Sequence, residues 1–169
     1  APTSVIGADL DGDGDQDLVS SNSGSNNLTI FYQDSPSVFG EVPVTLGDPS
    51  TTTGPTSVTG ADLDGDGDQD LISASSSGKV GGNLAVFFQS ASGAFDSSPM
   101  TLGTFPTSAF FRSVAAADLD GDGDQDLVTA NPNGNSLTVF FQQGSPGVFG
   151  PSGHVLNVPG SNRARYSVA

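Results

Sequence analysis

The sequence predicts an all-β chain made of three four-stranded antiparallel repeats. Three observations carry this expectation. One nine-residue acidic segment recurs letter for letter, short β-branched and aromatic runs recur at matching places around it, and Gly and Pro are too abundant for a helical protein.

The chain has 169 residues, enough for about one domain. Its 23 Gly and 11 Pro argue against helices, while 11 Phe supply apolar bulk that a disordered chain would lack. No stretch approaches the roughly 18 apolar residues of a membrane span. Ala1 is not followed by a basic and then apolar leader, a feature that a mature or internal segment would share. With no Cys, disulfides and thiolate metal sites are excluded.

The repeats are legible from Asp9. Asp9–Asp17 reads DLDGDGDQD, and Asp62–Asp70 and Asp118–Asp126 are identical. Upstream stand SVIGA, SVTGA and SVAAA, beginning at Ser4, Ser57 and Ser113. Downstream come LVSSN, LISAS and LVTAN from Leu18, Leu71 and Leu127, then LTIFYQ, LAVFFQ and LTVFFQ from Leu28, Leu84 and Leu137. Each unit then has a Gly- and Ser-containing turn, a Phe (Phe39, Phe95, Phe149) and a short run ending in Leu46, Leu102 or Leu156. We read these four runs as four strands, with repeats at 1–54, 55–107 and 108–162. Residues 163–169 begin a fourth repeat or form an exchanged strand, because Ser167-Val168-Ala169 repeats Ser113-Val114-Ala115.

The third strand indicates how the units pack. Leu84, Val86 and Phe88 point to one face and Ala85 and Phe87 to the other, so the sheet is covered on both sides. Radially stacked blades of a β-propeller have that property, with four strands each. Closed propellers need about four to eight blades, so three units are an incomplete ring or part of a larger array. The Phe residues are read as core.

Nineteen acidic residues face four basic ones, for a net charge of −15, and fifteen of the acids lie in the three repeated segments. The acidity is therefore three concentrated sites and not a diffuse coat. Nothing offers a basic stripe for phosphates, which excludes nucleic acid as a partner. In the first loop carboxylates stand at alternate positions, Asp9, Asp11, Asp13, Asp15 and Asp17, with Gly12 and Gly14 between them. Five such charges in nine residues repel one another unless a cation sits among them. Calcium takes six to eight hard oxygens, with side chains at loop positions 1, 3 and 5, a backbone carbonyl at 7 and Gly at 6 for the turn. This loop matches, and its position 9, Asp17, closes the site in place of the Glu at 12 of a calcium hand. Asp15 is then a carbonyl ligand. The equivalents are Asp62, Asp64, Asp66, Asp68 and Asp70, and Asp118, Asp120, Asp122, Asp124 and Asp126, giving about one Ca2+ per repeat and three in total. Magnesium prefers a smaller octahedral shell that retains water, and zinc prefers His or Cys.

The strand–DxDGDGxxD–strand unit resembles the FG-GAP (or VCBS) repeat of the integrin α-subunit propeller and of many secreted bacterial proteins. The Phe-Gly signature is present as Phe39-Gly40 and Phe149-Gly150, with Phe95-Asp96 in the second repeat. The Gly-Ala signature is present as Gly7-Ala8 and Gly60-Ala61, with Ala116-Ala117 in the third. The resemblance implies a β-propeller holding calcium in the loop that joins two adjacent strands of each blade, on the fifteen Asp residues named above.

Function is expected to be that of a non-catalytic, calcium-stabilised extracellular or cell-surface module of adhesion or fibre type. Its partner would be another protein, or a further copy joined through open blade ends. The alternatives are a carbohydrate-binding propeller and the non-catalytic propeller portion of a secreted polysaccharide-acting enzyme. A lectin would need exposed aromatics at repeated places, whereas the repeated aromatics here sit in apolar strands. His154 is the sole imidazole and occurs in one repeat, so no acid–base pair suggests itself. Asn27-Leu28-Thr29 is a glycosylation sequon found in one repeat alone.

Overall fold

The structure is a computed structural model that describes residues 1–77, 81–91, 93–103, 110–150 and 152–159. Arg163–Ala169, expected to begin a fourth repeat or to form an exchanged strand, lies outside the described residues. The first repeat holds β1 (Pro2–Ala8), β2 (Asp17–Asn22), β3 (Asn27–Phe31), a small hairpin of β4 (Gln33–Ser35) and β5 (Val38–Phe39), and β6 (Val44–Leu46). The second holds β7 (Pro55–Ala61), β8 (Asp70–Ser77), β9 (Gly81–Phe87), β10 (Gln89–Ala91), β11 (Ala94–Phe95) and β12 (Met100–Leu102). The third holds β13 (Ser113–Ala117), β14 (Asp126–Asn131), β15 (Ser136–Phe140) and β16 (His154–Asn157). No helix occurs among the described residues, hence none long and apolar enough to cross a membrane.

Each repeat forms one antiparallel sheet: β1-β2-β3-β6, β7-β8-β9-β12 and β13-β14-β15-β16. The registers are equivalent, with Leu28 opposite Leu46, Leu84 opposite Leu102 and Leu137 opposite Leu156. The four expected strands of each unit are therefore present. The hairpins β4–β5 and β10–β11 are additions. In the third repeat a single bridge between Gln142 and Phe149 takes their place. The third strand of each blade ends just before Tyr32, Phe88 or Phe141, where the chain leaves the sheet.

The first strands bring the sheets together, with β7 packed between β1 and β13. Two apolar layers result. Between the first and second sheets lie Leu10, Val19, Leu28 and Ile30 on one side, with Val58, Leu71, Ala85 and Phe87 on the other. Between the second and third lie Ile72, Leu84 and Val86, facing Val114, Leu127 and Phe140. Phe111 meets Phe140 edge to face, with ring centroids 6.3 Å apart. The alternation of β9 is thus as expected: Leu84 and Val86 enter one layer, Ala85 and Phe87 the other. The described residues stack as propeller-type blades without closing a ring.

One expectation needs correction. Phe39 is exposed, although the equivalent Phe149 is buried and Phe95 is half-buried. Phe95 and Phe149 pack towards the preceding blade, and among the described residues no blade stands before the first.

Candidate metal centre

Each acidic loop joins the first and second strands of its blade, and the loop shape follows from its own hydrogen bonds. Asp9 accepts the Gly12 N–H on Oδ1 at 2.8 Å and the Gly14 N–H on Oδ2 at 3.0 Å. Asp62 and Asp118 repeat the pattern with Gly65 and Gly67, and with Gly121 and Gly123. Asp13 Oδ1 accepts the Asp15 N–H at 2.8 Å, as Asp66 and Asp122 do from Asp68 and Asp124. Both glycines of each loop have positive φ, from 77° at Gly12 to 101° at Gly123. A β-carbon on Gly14, Gly67 or Gly123 would meet nothing within 4 Å, so backbone conformation and not space demands glycine there.

This winding brings Asp9, Asp11 and Asp13 together, with one carboxylate oxygen of each inside a mutual separation of 4.8 Å. Asp62, Asp64 and Asp66 do the same, as do Asp118, Asp120 and Asp122. Twice a calcium–oxygen distance of about 2.4 Å is about 4.8 Å, so three such oxygens can share one ion. All donors in these triads are hard oxygens, with neither nitrogen nor sulfur among them, which fits a hard divalent cation. When bound, such an ion would supply the charge that holds the three carboxylates together.

Asp15, Asp68 and Asp124 lie half-buried outside the triads. Asp17, Asp70 and Asp126 are buried, and each clamps two stretches of chain. Asp17 accepts the Leu10 N–H on Oδ2 and the Gln33 N–H on Oδ1, both at 2.8 Å. Asp70 holds the Leu63 and Gln89 N–H groups at 2.9 and 2.8 Å, and Asp126 those of Leu119 and Gln142 at 3.0 and 2.9 Å. The ninth position therefore ties the start of its loop to the point where the third strand leaves the sheet. Each of its oxygens keeps a second lone pair.

The electrostatics match a site built around a charge. Burial raises the pKa of Asp11, Asp64 and Asp120, and neighbouring carboxylates add to the rise. Burial pushes Asp70 up to about 6, against the pull of its two backbone N–H bonds.

Contacts from the following repeat were not foreseen. The Gly93 N–H donates to the Leu10 carbonyl and the Gly147 N–H to the Leu63 carbonyl, each at 2.8 Å. The Tyr32 hydroxyl donates to the Gly93 carbonyl at 2.8 Å. A turn of the second blade thus rests on the acidic loop of the first, and a turn of the third on that of the second. The recurring turn and the recurring Gln at the end of each apolar run were the available signals, but neither reveals its partner without the packing.

No curated protein matches the sequence. The FG-GAP-like repeat matches residues 9–73 and again residues 62–129, two overlapping stretches that each run from one acidic loop through the next. With equivalent sheets, identical loops and this double match, the chain belongs to the FG-GAP-like repeat family.

Proposed function

We propose that the chain is a calcium-stabilised structural and interaction module of an extracellular or cell-surface protein, of adhesion or fibre type. The observation that carries this reading is the threefold recurrence of a pre-wound loop gathering three carboxylates within 4.8 Å. Repeats of this family generally serve as structural or interaction modules. Five carboxylates per loop suit calcium, with the triads as its side-chain ligands, the Asp15, Asp68 and Asp124 carbonyls beside them, and Asp17, Asp70 and Asp126 completing each set. Modules that work outside the cell bind calcium at about 10⁻⁴–10⁻³ M, where the ion is abundant. The chain has no disulfide to constrain it, so the ion takes over part of that task.

A ligand that binds only the folded state stabilises it by about 2.7 kcal/mol at a hundredfold excess over its dissociation constant. Thermal melts in excess chelator, in calcium and in magnesium test the reading. Calcium should raise the melting temperature well above that in chelator, with magnesium restoring little of the difference. An unchanged curve in chelator would sink it.

A further inference from the structure

The first two carboxylates of a triad flank one leucine, and in two of the loops the backbone of that leucine is held from two blades. Leu10 stands between Asp9 and Asp11, and Leu63 between Asp62 and Asp64. Their N–H groups donate to Asp17 and Asp70 of their own loops, at 2.8 and 2.9 Å. Their carbonyls accept from the next blade, from the Gly93 and Gly147 N–H groups at 2.8 Å. Both leucine side chains are buried. The following blade thus fixes the stretch of backbone that carries the first and second carboxylates.

The two glycines are closely fitted to the loops they meet. Each has a φ of 76°, in the left-handed region. A β-carbon on Gly93 would stand 3.5 Å from Asp11 Cβ and 3.4 Å from the Tyr32 hydroxyl. On Gly147 it would stand 3.3 Å from Asp64 Cβ and 3.2 Å from the Phe88 ring. Each turn therefore lies against the second carboxylate residue of the preceding triad. Tyr32 and Phe88 are equivalent residues, but they secure the turn differently. The Tyr32 hydroxyl donates to the Gly93 carbonyl at 2.8 Å, whereas in the third blade the Gln142 Oε1 accepts the Gly147 N–H. The contact with the acidic loop is the same at both junctions.

We propose that Gly93 and Gly147 are positioning residues for the acidic loop of the preceding blade, so that calcium affinity at a loop depends on the blade that follows it. The proposal rests on the calcium reading for the affinity it predicts. It goes further in assigning part of each site to residues that lie outside the acidic motif. A loop already held in its winding loses less conformational freedom when a cation gathers its carboxylates, and it binds that cation more tightly. Linkage requires the converse, so calcium in the first loop strengthens the seating of the Gly93 turn by the same factor.

Calcium titrations followed by nuclear magnetic resonance at the Gly14, Gly67 and Gly123 amides read the three loops separately. Gly93→Ala should weaken the first loop by about fivefold or more, with far smaller changes at the other two. Gly147→Ala should move the effect to the second loop, and more strongly, because its added carbon meets closer neighbours. Tyr32→Phe keeps the ring and the fold and removes one hydrogen bond to the turn, so it should weaken the first loop by about twofold or more. A second arm needs no cation. In chelator, amide exchange at Gly12 and Gly14 should quicken in Gly93→Ala, and at Gly65 and Gly67 in Gly147→Ala. Equal weakening of all three loops, a largest effect on the loop of the substituted blade itself, or unchanged affinities would each overturn the proposal. Should no loop amide of the parent respond to calcium, the calcium reading falls. The exchange arm then decides the positioning role by itself, and unchanged exchange in both glycine variants would overturn that too.

Discussion

Replacing Asp64 with Ala should change the sign of its effect with the buffer. In chelator the Asp64 carboxylate shares its site with Asp62 and Asp66, with oxygens inside 4.8 Å. At that separation two unit charges repel by about 0.9 kcal/mol in a water-like dielectric and about 3.5 kcal/mol at an effective value of 20. The triad faces solvent, so the lower figure governs, and removing one member relieves two such pairs. Against this stands the loss of one long hydrogen bond, from the Asp66 N–H at 3.3 Å. Metal-free Asp64→Ala should therefore be as stable as the parent or about 1–2 kcal/mol more so. In 10 mM calcium the parent gains about 1.4–2.7 kcal/mol from this site for dissociation constants of about 10⁻³–10⁻⁴ M, and the variant forgoes that gain. At roughly 2–4 °C per kcal/mol for a chain of this size, the calcium-induced rise in melting temperature should shrink by about 3–10 °C. Paired melts of parent and variant in chelator and in calcium read this directly. An equal loss in both buffers would show Asp64 to be a structural residue. An unaltered calcium response would remove it from the site.

Asp68→Ala should cost the second site much less than Asp64→Ala, because the backbone carbonyl at position 68 survives; calorimetric calcium titration of the two variants compares them. Gly67→Ala should destabilise the metal-free protein by about 1–2 kcal/mol through its φ of 97° alone, since the added carbon meets nothing; a chemical denaturation midpoint measures it. The pH response should reverse with metal. Asp70 has its pKa raised from 3.8 to about 6, so the folded state holds a proton that the unfolded state has released. Metal-free stability should consequently rise as the pH falls from about 7 towards 4, and that contribution is lost as the pH rises through about 6. With calcium the carboxylates must be deprotonated to bind, so apparent affinity should weaken over the same fall in pH. Melting temperatures at pH 4.5 and 7.5, with and without chelator, check both directions.

The repeats, the four strands of each blade and the grouping of the first three carboxylates of each loop were legible in the sequence because they are local. Alternation along Leu84–Phe88 fixes which side chains leave a strand together. Alternating Asp with Gly at two turning positions fixes a loop that winds around a common centre. Burial was not legible, because it depends on residues some fifty positions away. Val5, Val58 and Val114 sit in closely similar local sequence, as do Leu10, Leu63 and Leu119, yet their exposure differs according to whether another blade stands beside them. The same limit hid the two-sided clamp of Asp17, Asp70 and Asp126, whose partners at Gln33, Gln89 and Gln142 lie a hairpin away. Sequence by itself determined the repeat, its strands and its acidic loop, since short-range hydrogen bonding and side-chain periodicity decide those. Tertiary structure alone decided which copies of identical residues are core and which are open surface, since the hydrophobic effect acts on the neighbour that arrives and not on the local sequence.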